Sequence, residues 1–235
     1  MSKYFSSSNM TGGYGGVDIL NSCGIEVNQG EISVVVGPNG AGKSTAMKAM
    51  LGMITLKSGE VILNGKDISG LTPEDRVAQG IAFVPQTMNI FSELNVEENL
   101  EMGAFLRNDN INKTIEDVYK LFPILKDKKN QLAGELSGGQ RQQVAVGRAL
   151  MTKPSVLMLD EPTAGVSPIV MDELFDRIIE IKNTGVAIII VEQNAKQALS
   201  IADFGYVLVG GKNKFTGKGS ELLNNPEVRK AFLGG

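Results

Sequence analysis

The chain has 235 residues, a formal net charge of −3, no histidine, and a single cysteine, Cys23. That composition excludes an internal disulfide and any zinc site of the His/Cys kind, and the mild negative charge argues against a nucleic-acid partner, which would show a basic face. The opening MSKYFSSSNM lacks the apolar stretch of a signal peptide, and apolar runs such as residues 186–191 fall far short of the roughly 20 residues that cross a bilayer, so a role at a membrane requires docking onto another subunit.

In chain order, residues 4–27 read as short strands around a glycine-rich turn at Gly12, Gly13, Gly15 and Gly16. Residues 31–36 form a β-branched strand ended by Gly37, and a helix over about 43–51 follows, with Gly52 closing it. Residues 61–63 are a strand that turns at Asn64-Gly65, a hairpin signal. Thr72 reads as an N-cap with Pro73 at the first helical position; that helix ends near Gly80 and gives way to a strand over 81–84. From 95 to 151 the pattern is helical, and apolar residues at 115, 118, 121 and 122 share one face of a helix over 112–122. Alternation then resumes: a strand over 156–159, a helix over 168–181 striped by Met171, Leu174, Phe175, Ile178 and Ile181, and a strand over 186–191. Near-continuous apolar strands separated by helices indicate a parallel sheet covered on both faces. The fold class is therefore α/β, with the helical middle inserted into one core. Cys23 reads as a small buried apolar residue.

Three motifs carry chemistry. Gly37-Pro38-Asn39-Gly40-Ala41-Gly42-Lys43-Ser44-Thr45 matches G-x-x-x-x-G-K-[ST], preceded by a strand and followed by a helix. Glycines let backbone N–H groups turn inward around phosphate oxygens, the helix N-terminus adds partial positive charge, Lys43 reaches the β- and γ-phosphates, and Ser44 can hold Mg²⁺. Next, the buried strand before Asp160 and Glu161 ends in two acids at the edge where open α/β sheets bind ligands. Consecutive strand residues point opposite ways, so Asp160 is expected in the Mg²⁺ shell and Glu161 as the group that orients and deprotonates water. The third motif is Leu136-Ser137-Gly138-Gly139-Gln140. Ser137 and Gln140 suit a capping box, but a cap needs no paired glycines. Gly138 and Gly139 are read as exposed N–H groups at a second anion-binding helix start, which is odd for one chain and one nucleotide.

Together these blocks resemble the nucleotide-binding subunits of ABC transporters over nearly the whole chain: GPNGAGKST looks like Walker A, VLMLDEP like Walker B, and LSGGQ like the signature. The resemblance implies an ATP- and Mg²⁺-dependent ATPase. Its phosphate-loop core has a mainly parallel sheet and an N-terminal antiparallel β subdomain, over 1–86 and 152–235, with a helical signature subdomain inserted over 87–151. It also implies a head-to-tail homodimer or heterodimer in which Ser137, Gly138, Gly139 and Gln140 of one subunit meet the γ-phosphate held by the other. Tyr14 looks like the residue that stacks on adenine, and Gln86 like the glutamine that senses Mg²⁺ and water. Residues 164–167 look like the loop that crosses the dimer interface, although Ser167 stands where many members have aspartate. Residues 90–96 look like an exposed apolar stretch that lines the groove for transmembrane permease subunits, and the location implied is peripheral, on the cytoplasmic face of the inner membrane.

Gln193 falls where most of the family has a switch histidine. An amide can donate to a γ-phosphate oxygen but cannot shuttle a proton, so Gln193 is expected to sense and orient. VEQNAKQALSIADFGYVL, TAGVSP and the terminus 227–235 are similar to the second ATPase of branched-chain amino-acid importers. Relatives serving other amino acids, urea or short amides look alike here. Two other readings stay open on sequence: an ATP-binding switch with little turnover, and a non-transport ABC ATPase, against which the lack of a tandem cassette or long coiled coil argues.

Overall fold

The computed structural model describes residues 3–233; Met1, Ser2, Gly234 and Gly235, and with the last two the end of the similar terminus, lie outside the described residues. Strands β1 (Phe5–Tyr14) and β2 (Val17–Val27) pair antiparallel from Phe5 opposite Val27 to Tyr14 opposite Val17. The short strands expected here are therefore two long ones: Gly12 and Gly13 lie inside β1, and only Gly15-Gly16 turns the chain. Register shifts between Ser7 and Gly13 keep both strands in one sheet, because each bulge absorbs a residue while bending the strand.

After β3 (Ile32–Val36) comes α1 (Lys43–Met50), closed by Leu51 and the left-handed Gly52. Strand β4 (Leu56–Leu63) starts earlier than its own pattern suggests, because Leu56 and Ser58 already pair with Gly12 and Thr11. Asn64 and Gly65, both at positive φ, turn the chain into β5 (Lys66–Asp67). Thr72 caps α2 (Pro73–Ala78) by accepting from the Asp75 N–H, and β6 (Ile81–Val84) follows. The helical stretch holds α3 (Val96–Gly103), α4 (Asn112–Leu121), α5 (Pro123–Asp127) and α6 (Gly138–Leu150). Then come β7 (Val156–Asp160), α7 (Pro168–Asn183), β8 (Ala187–Val191), α8 (Ala195–Ser200), β9 (Phe204–Val209), β10 (Lys212–Gly217) and α9 (Gly219–Asn224). A short α10 (Pro226–Val228) and a π-helical turn, Arg229–Leu233, follow.

The larger sheet runs β10-β9-β3-β8-β7-β6, parallel throughout except for β10 on β9; the smaller, antiparallel sheet runs β2-β1-β4-β5. Alternate residues of the parallel strands feed two cores. Val34, Val36, Leu157, Leu159, Ile188 and Ile190 face the core shared with α3, α4, α6 and α7. Val35, Met158, Ile189 and Val191 face the other, shared with α1 and the antiparallel sheet. This explains the unbroken apolar runs: both faces of each strand are covered, and each fully buried Ile or Val contributes about 1.5–3 kcal/mol. Cys23 lies in the second core, and burial pushes its thiol up to about 12, which leaves it inert at neutral pH. The carboxyl ends of β3, β8, β7 and β6 lie side by side at one edge.

Candidate functional site

The phosphate loop leaves β3 at that edge. A Cβ on Gly37 would lie 2.2 Å from the Leu208 carbonyl oxygen, so only glycine passes. Gly42 enters α1 at φ 97°, a left-handed conformation that glycine adopts without strain. The Ala41 N–H donates to the Pro38 carbonyl at 3.1 Å, and the Gly211 N–H donates to the Ala41 carbonyl at 2.9 Å, which hold the loop from within and below. Helix α1 has no side-chain cap and no acid in its first turn, whereas α2, α3 and α6 are capped by Thr72, Asn95 and Ser137. Its free amides and positive dipole end therefore suit an anion. The buried Lys43 side chain reaches over the loop, its Nζ donating to the Gly37 carbonyl at 2.9 Å and the Pro38 carbonyl at 3.4 Å. Pro38, Asn39 and Gly40 form the exposed rim; Ala41, Gly42 and Thr45 are buried and Ser44 half-buried.

Ser44 and Asp160 meet: the Ser44 hydroxyl donates to Asp160 Oδ1 at 2.8 Å. Asp160 is buried, and burial raises its pKa above the ordinary value, opposed by the Ser44 hydroxyl and the charges of Lys48 and Lys43. A hydroxyl beside a carboxylate is a hard-oxygen donor set that fits Mg²⁺. Among the described residues no cluster of three or more His, Cys, Asp or Glu is placed to hold a metal by itself.

Glu161 departs from the geometry expected of it. It is not a strand residue alternating with Asp160; β7 ends at Asp160 and Glu161 turns off at φ 48°, its N–H donating to the Val191 carbonyl at 2.9 Å. The two acids still separate, but by this turn. Gln86, on the loop after β6, donates from Nε2 to Glu161 Oε2 at 2.8 Å.

The corner at Ser137–Gln140 also differs from the exposed glycine pair expected there. Ser137 and Gly138 are exposed, but Gly139 is buried in its own chain: a Cβ there would lie 2.3 Å from Val170 Cγ1. The glycine pair is thus not one exposed surface; its second member permits close packing of α6 against α7. The capping box is present, Gln140 N–H donating to Ser137 Oγ at 3.3 Å and Ser137 N–H to Gln140 Oε1 at 3.1 Å. Among the described residues no hydrogen bond links this corner to the phosphate loop of the same chain.

Tyr14 is half-exposed at the end of β1, beside a turn braced by the Lys57–Asp18 ion pair at 2.8 Å. Gln193 is exposed and shares a cavity of about 250 Å³ with Gly37, Pro38, Asn39, Ala195 and Ala231. Of the stretch 90–96, Phe91 is the one half-exposed large apolar residue; Val96 is buried and Ile90 packs on the core. The expected apolar face is assembled instead from Met53, Phe91, Met102 and Phe105, which line a groove of about 610 Å³. Sequence reading passed over one residue at this edge, the buried Glu192, although an acid ending a buried strand was the signal that singled out Asp160.

The sequence profile of the ABC transporter family matches residues 20–164. The chain belongs to that family. It is 43% identical to the high-affinity branched-chain amino acid transport ATP-binding protein BraG of Pseudomonas aeruginosa, over 94% of this chain and 96% of that one. It is 41% identical to the probable branched-chain amino acid transport ATP-binding protein LivF of Archaeoglobus fulgidus, over 96% of each. The lipopolysaccharide export system ATP-binding protein LptB of Haemophilus influenzae is 32% identical, over 97% of this chain and 96% of that one. Among solved structures, a nucleotide-free ATP-binding cassette from an ABC transporter superposes with TM-score 0.88 at 29% identity, covering 98% of this chain and 99% of that one. The ADP conformation of another such cassette superposes with TM-score 0.87 at 30% identity, covering both chains fully at 100%. The cassette is therefore a nucleotide-binding ATPase of the ABC type. Among its described residues no helix is long and apolar enough to cross a membrane.

Proposed function

We propose that this ATPase powers a membrane importer of branched-chain or related amino acids, seated on permease subunits at the cytoplasmic face of the inner membrane. The observation that carries the catalytic reading is the meeting, at one sheet edge, of the Ser44–Asp160 and Gln86–Glu161 pairs beside the uncapped α1. The transported class rests on kinship: identity is 43% and 41% to the relatives named for branched-chain amino acids and 32% to the one named for lipopolysaccharide export.

In this reading the amides of Gly40, Gly42, Lys43, Ser44 and Thr45, with the Lys43 ammonium, neutralise the β- and γ-phosphates while Pro38 and Asn39 form the rim. Tyr14 stacks on the adenine. Ser44 and Asp160, with the amide oxygen of Gln86 left free by its bond to Glu161, would hold Mg²⁺. The cation when bound supplies charge neutralisation on the phosphate oxygens. Glu161 orients the attacking water and takes its proton as the water oxygen bonds to the γ-phosphorus and the bridge to ADP breaks. Gln86 fixes the direction of the Glu161 carboxylate. Gln193 donates an amide hydrogen to a γ-phosphate oxygen and exchanges no proton. Ser137, Gly138, Gly139 and Gln140 of a second subunit complete the site, so the working unit is a dimer; with Gly139 packed on Val170, Ser137 and Gly138 make the outward contact. Residues 87–151 carry that corner as one subdomain and form one wall of the permease groove, the other wall coming from residues of the core such as Met53, Val77 and Pro85.

Steady-state phosphate release by the purified chain, alone and with its permease pair, tests this. Glu161→Gln is expected to lower the rate by about 10²–10⁴-fold, the range of general-base assistance, while ATP still binds. No release from the wild type even with the permease pair would support an ATP-binding switch instead.

A further inference from the structure

At the carboxyl edge of β8 sits a buried acid that the mechanism above does not use. Glu192 follows the last residue of β8 and lies between the phosphate-loop strand and the strand of Asp160, its N–H donating to the Val35 carbonyl at 3.1 Å. It is 2% exposed. Burying a carboxylate is costly unless its charge is hydrogen-bonded, and here three donors reach it. Oε1 accepts from the Thr163 N–H at 3.0 Å and the Thr163 hydroxyl at 2.7 Å, and Oε2 accepts from the Gln193 N–H at 3.1 Å.

These partners lie on two different loops. Thr163 belongs to the turn that begins at Glu161, closed by the Ala164 N–H donating to the Glu161 carbonyl at 3.0 Å. Glu161 itself stands at φ 48°, where a residue other than glycine persists only if its surroundings hold it. Gln193 is the residue facing the rim of the phosphate loop.

We propose that Glu192 is a positioning residue for hydrolysis: one carboxylate, with an oxygen for each loop, sets the turn that carries Glu161 in register with the backbone of Gln193. The proposal rests on the ATPase reading above. It assigns a reason for an acid at this depth, where an apolar residue would pack with less desolvation: only a carboxylate has two acceptor oxygens to offer two sets of N–H and O–H donors. A glutamine has one acceptor and an NH₂ group, so it can keep one tie but must turn a donor toward the other. Thr163 also opens the run Ala164-Gly165-Val166-Ser167, so the same tie reaches the loop proposed to cross the dimer interface.

The test is a pair of near-isosteric variants and their combination, read as kcat and KM for ATP. Glu192→Gln and Thr163→Val are each expected to lower kcat by about 10- to 100-fold, as loss of reacting-group alignment does, with KM unchanged within about twofold because ground-state binding is untouched. Since both variants disturb the one junction at Glu192, the double variant is expected to lose less than the product of the two single losses. Effects that multiply, a KM that rises in step with the fall in kcat, or single variants within about twofold of the wild-type rate each overturn the proposal. Should Glu192→Gln fail to fold, Thr163→Ser and Thr163→Val carry the test: serine restores the hydroxyl tie and the rate, valine does not, and equal rates overturn it. A wild-type chain that releases no phosphate, alone or with the permease pair, overturns the ATPase reading and this inference with it. An active wild type with unaffected variants overturns this inference alone.

Discussion

At Gln193 an amide occupies the rim where a titratable imidazole would be able to exchange a proton. In the proposed mechanism its contribution is one donated hydrogen bond to a γ-phosphate oxygen, strengthened as charge develops there. Gln193→Ala is accordingly expected to lower kcat more than it weakens ATP binding, measured as phosphate release against equilibrium nucleotide titration; equal losses would make Gln193 an ordinary binding contact. Asp160 shows the opposite tension, between fold and function. Burial lifts its pKa above the ordinary 3.8, so the folded chain holds this proton more tightly than the unfolded one. The stability it brings is present below pH 3.8 and is lost as pH rises through the raised folded value, which leaves the ionised group a cost at neutral pH. Asp160→Asn keeps an oxygen for the Ser44 hydroxyl and removes the charge. Without nucleotide or metal it is expected to melt above the wild type at neutral pH, with the difference shrinking as pH falls toward 3.8. Mg²⁺-dependent phosphate release should drop by about 100-fold or more, since the charge proposed to hold the cation is gone.

Among the helices, an open first turn marks a site only in context: α1 shares it with α4, α5 and α7 but alone follows the glycine-rich loop at the sheet edge. Helix α3 closes its first turn with Asn95 and Glu98, whereas α4, α5 and α7 start without a side-chain cap. Helix α1 leaves its first turn open, and α6 is mixed: capped by Ser137 and Gln140, yet begun by two glycines. The cap and the LSGGQ pattern are legible in the sequence; the job of Gly139 is not, because Val170, which forbids a side chain there, lies on another helix. Gly139→Ala is expected to destabilise the chain by about 1–3 kcal/mol in denaturant titration, the usual cost of overpacking a fitted contact. Val170→Ala in the same chain is expected to recover part of the loss; no change with Gly139→Ala would mean that α6 and α7 separate freely. Strand β4 gives the same lesson: its first half, largely exposed and without alternation, becomes strand through pairing with β1.

Across the molecule, the six-stranded sheet brings the loops proposed to hold ATP to one edge. The groove lined by Met53, Phe91, Met102 and Phe105 opens between the core and the helical stretch, with the Arg148 guanidinium 4.7 Å from the centre of the Phe91 ring. One continuous core runs from the parallel strands into α3, α4 and α6, so a partner that presses on the groove pushes on helices packed against the catalytic sheet. Phe91→Glu is expected to abolish co-purification with the permease pair while leaving the melting temperature of the isolated chain near the wild type, because the ring is half-exposed and supports little of its own core. A collapse in stability would instead make Phe91 a core residue.

By itself the sequence determined what is encoded within a few neighbouring residues: the phosphate loop between strand and helix, the acids ending a buried strand, the capped signature helix, and the apolar periods that define an α/β fold. What it left open were the meetings between distant segments. Ser44 reaches Asp160 across 116 residues and Gln86 reaches Glu161 across 75, and Glu192 holds two loops that no local pattern joins. The reason is topological. Strand order β3-β8-β7-β6 is not chain order, so the residues that share the catalytic edge become neighbours only when the parallel strands pair.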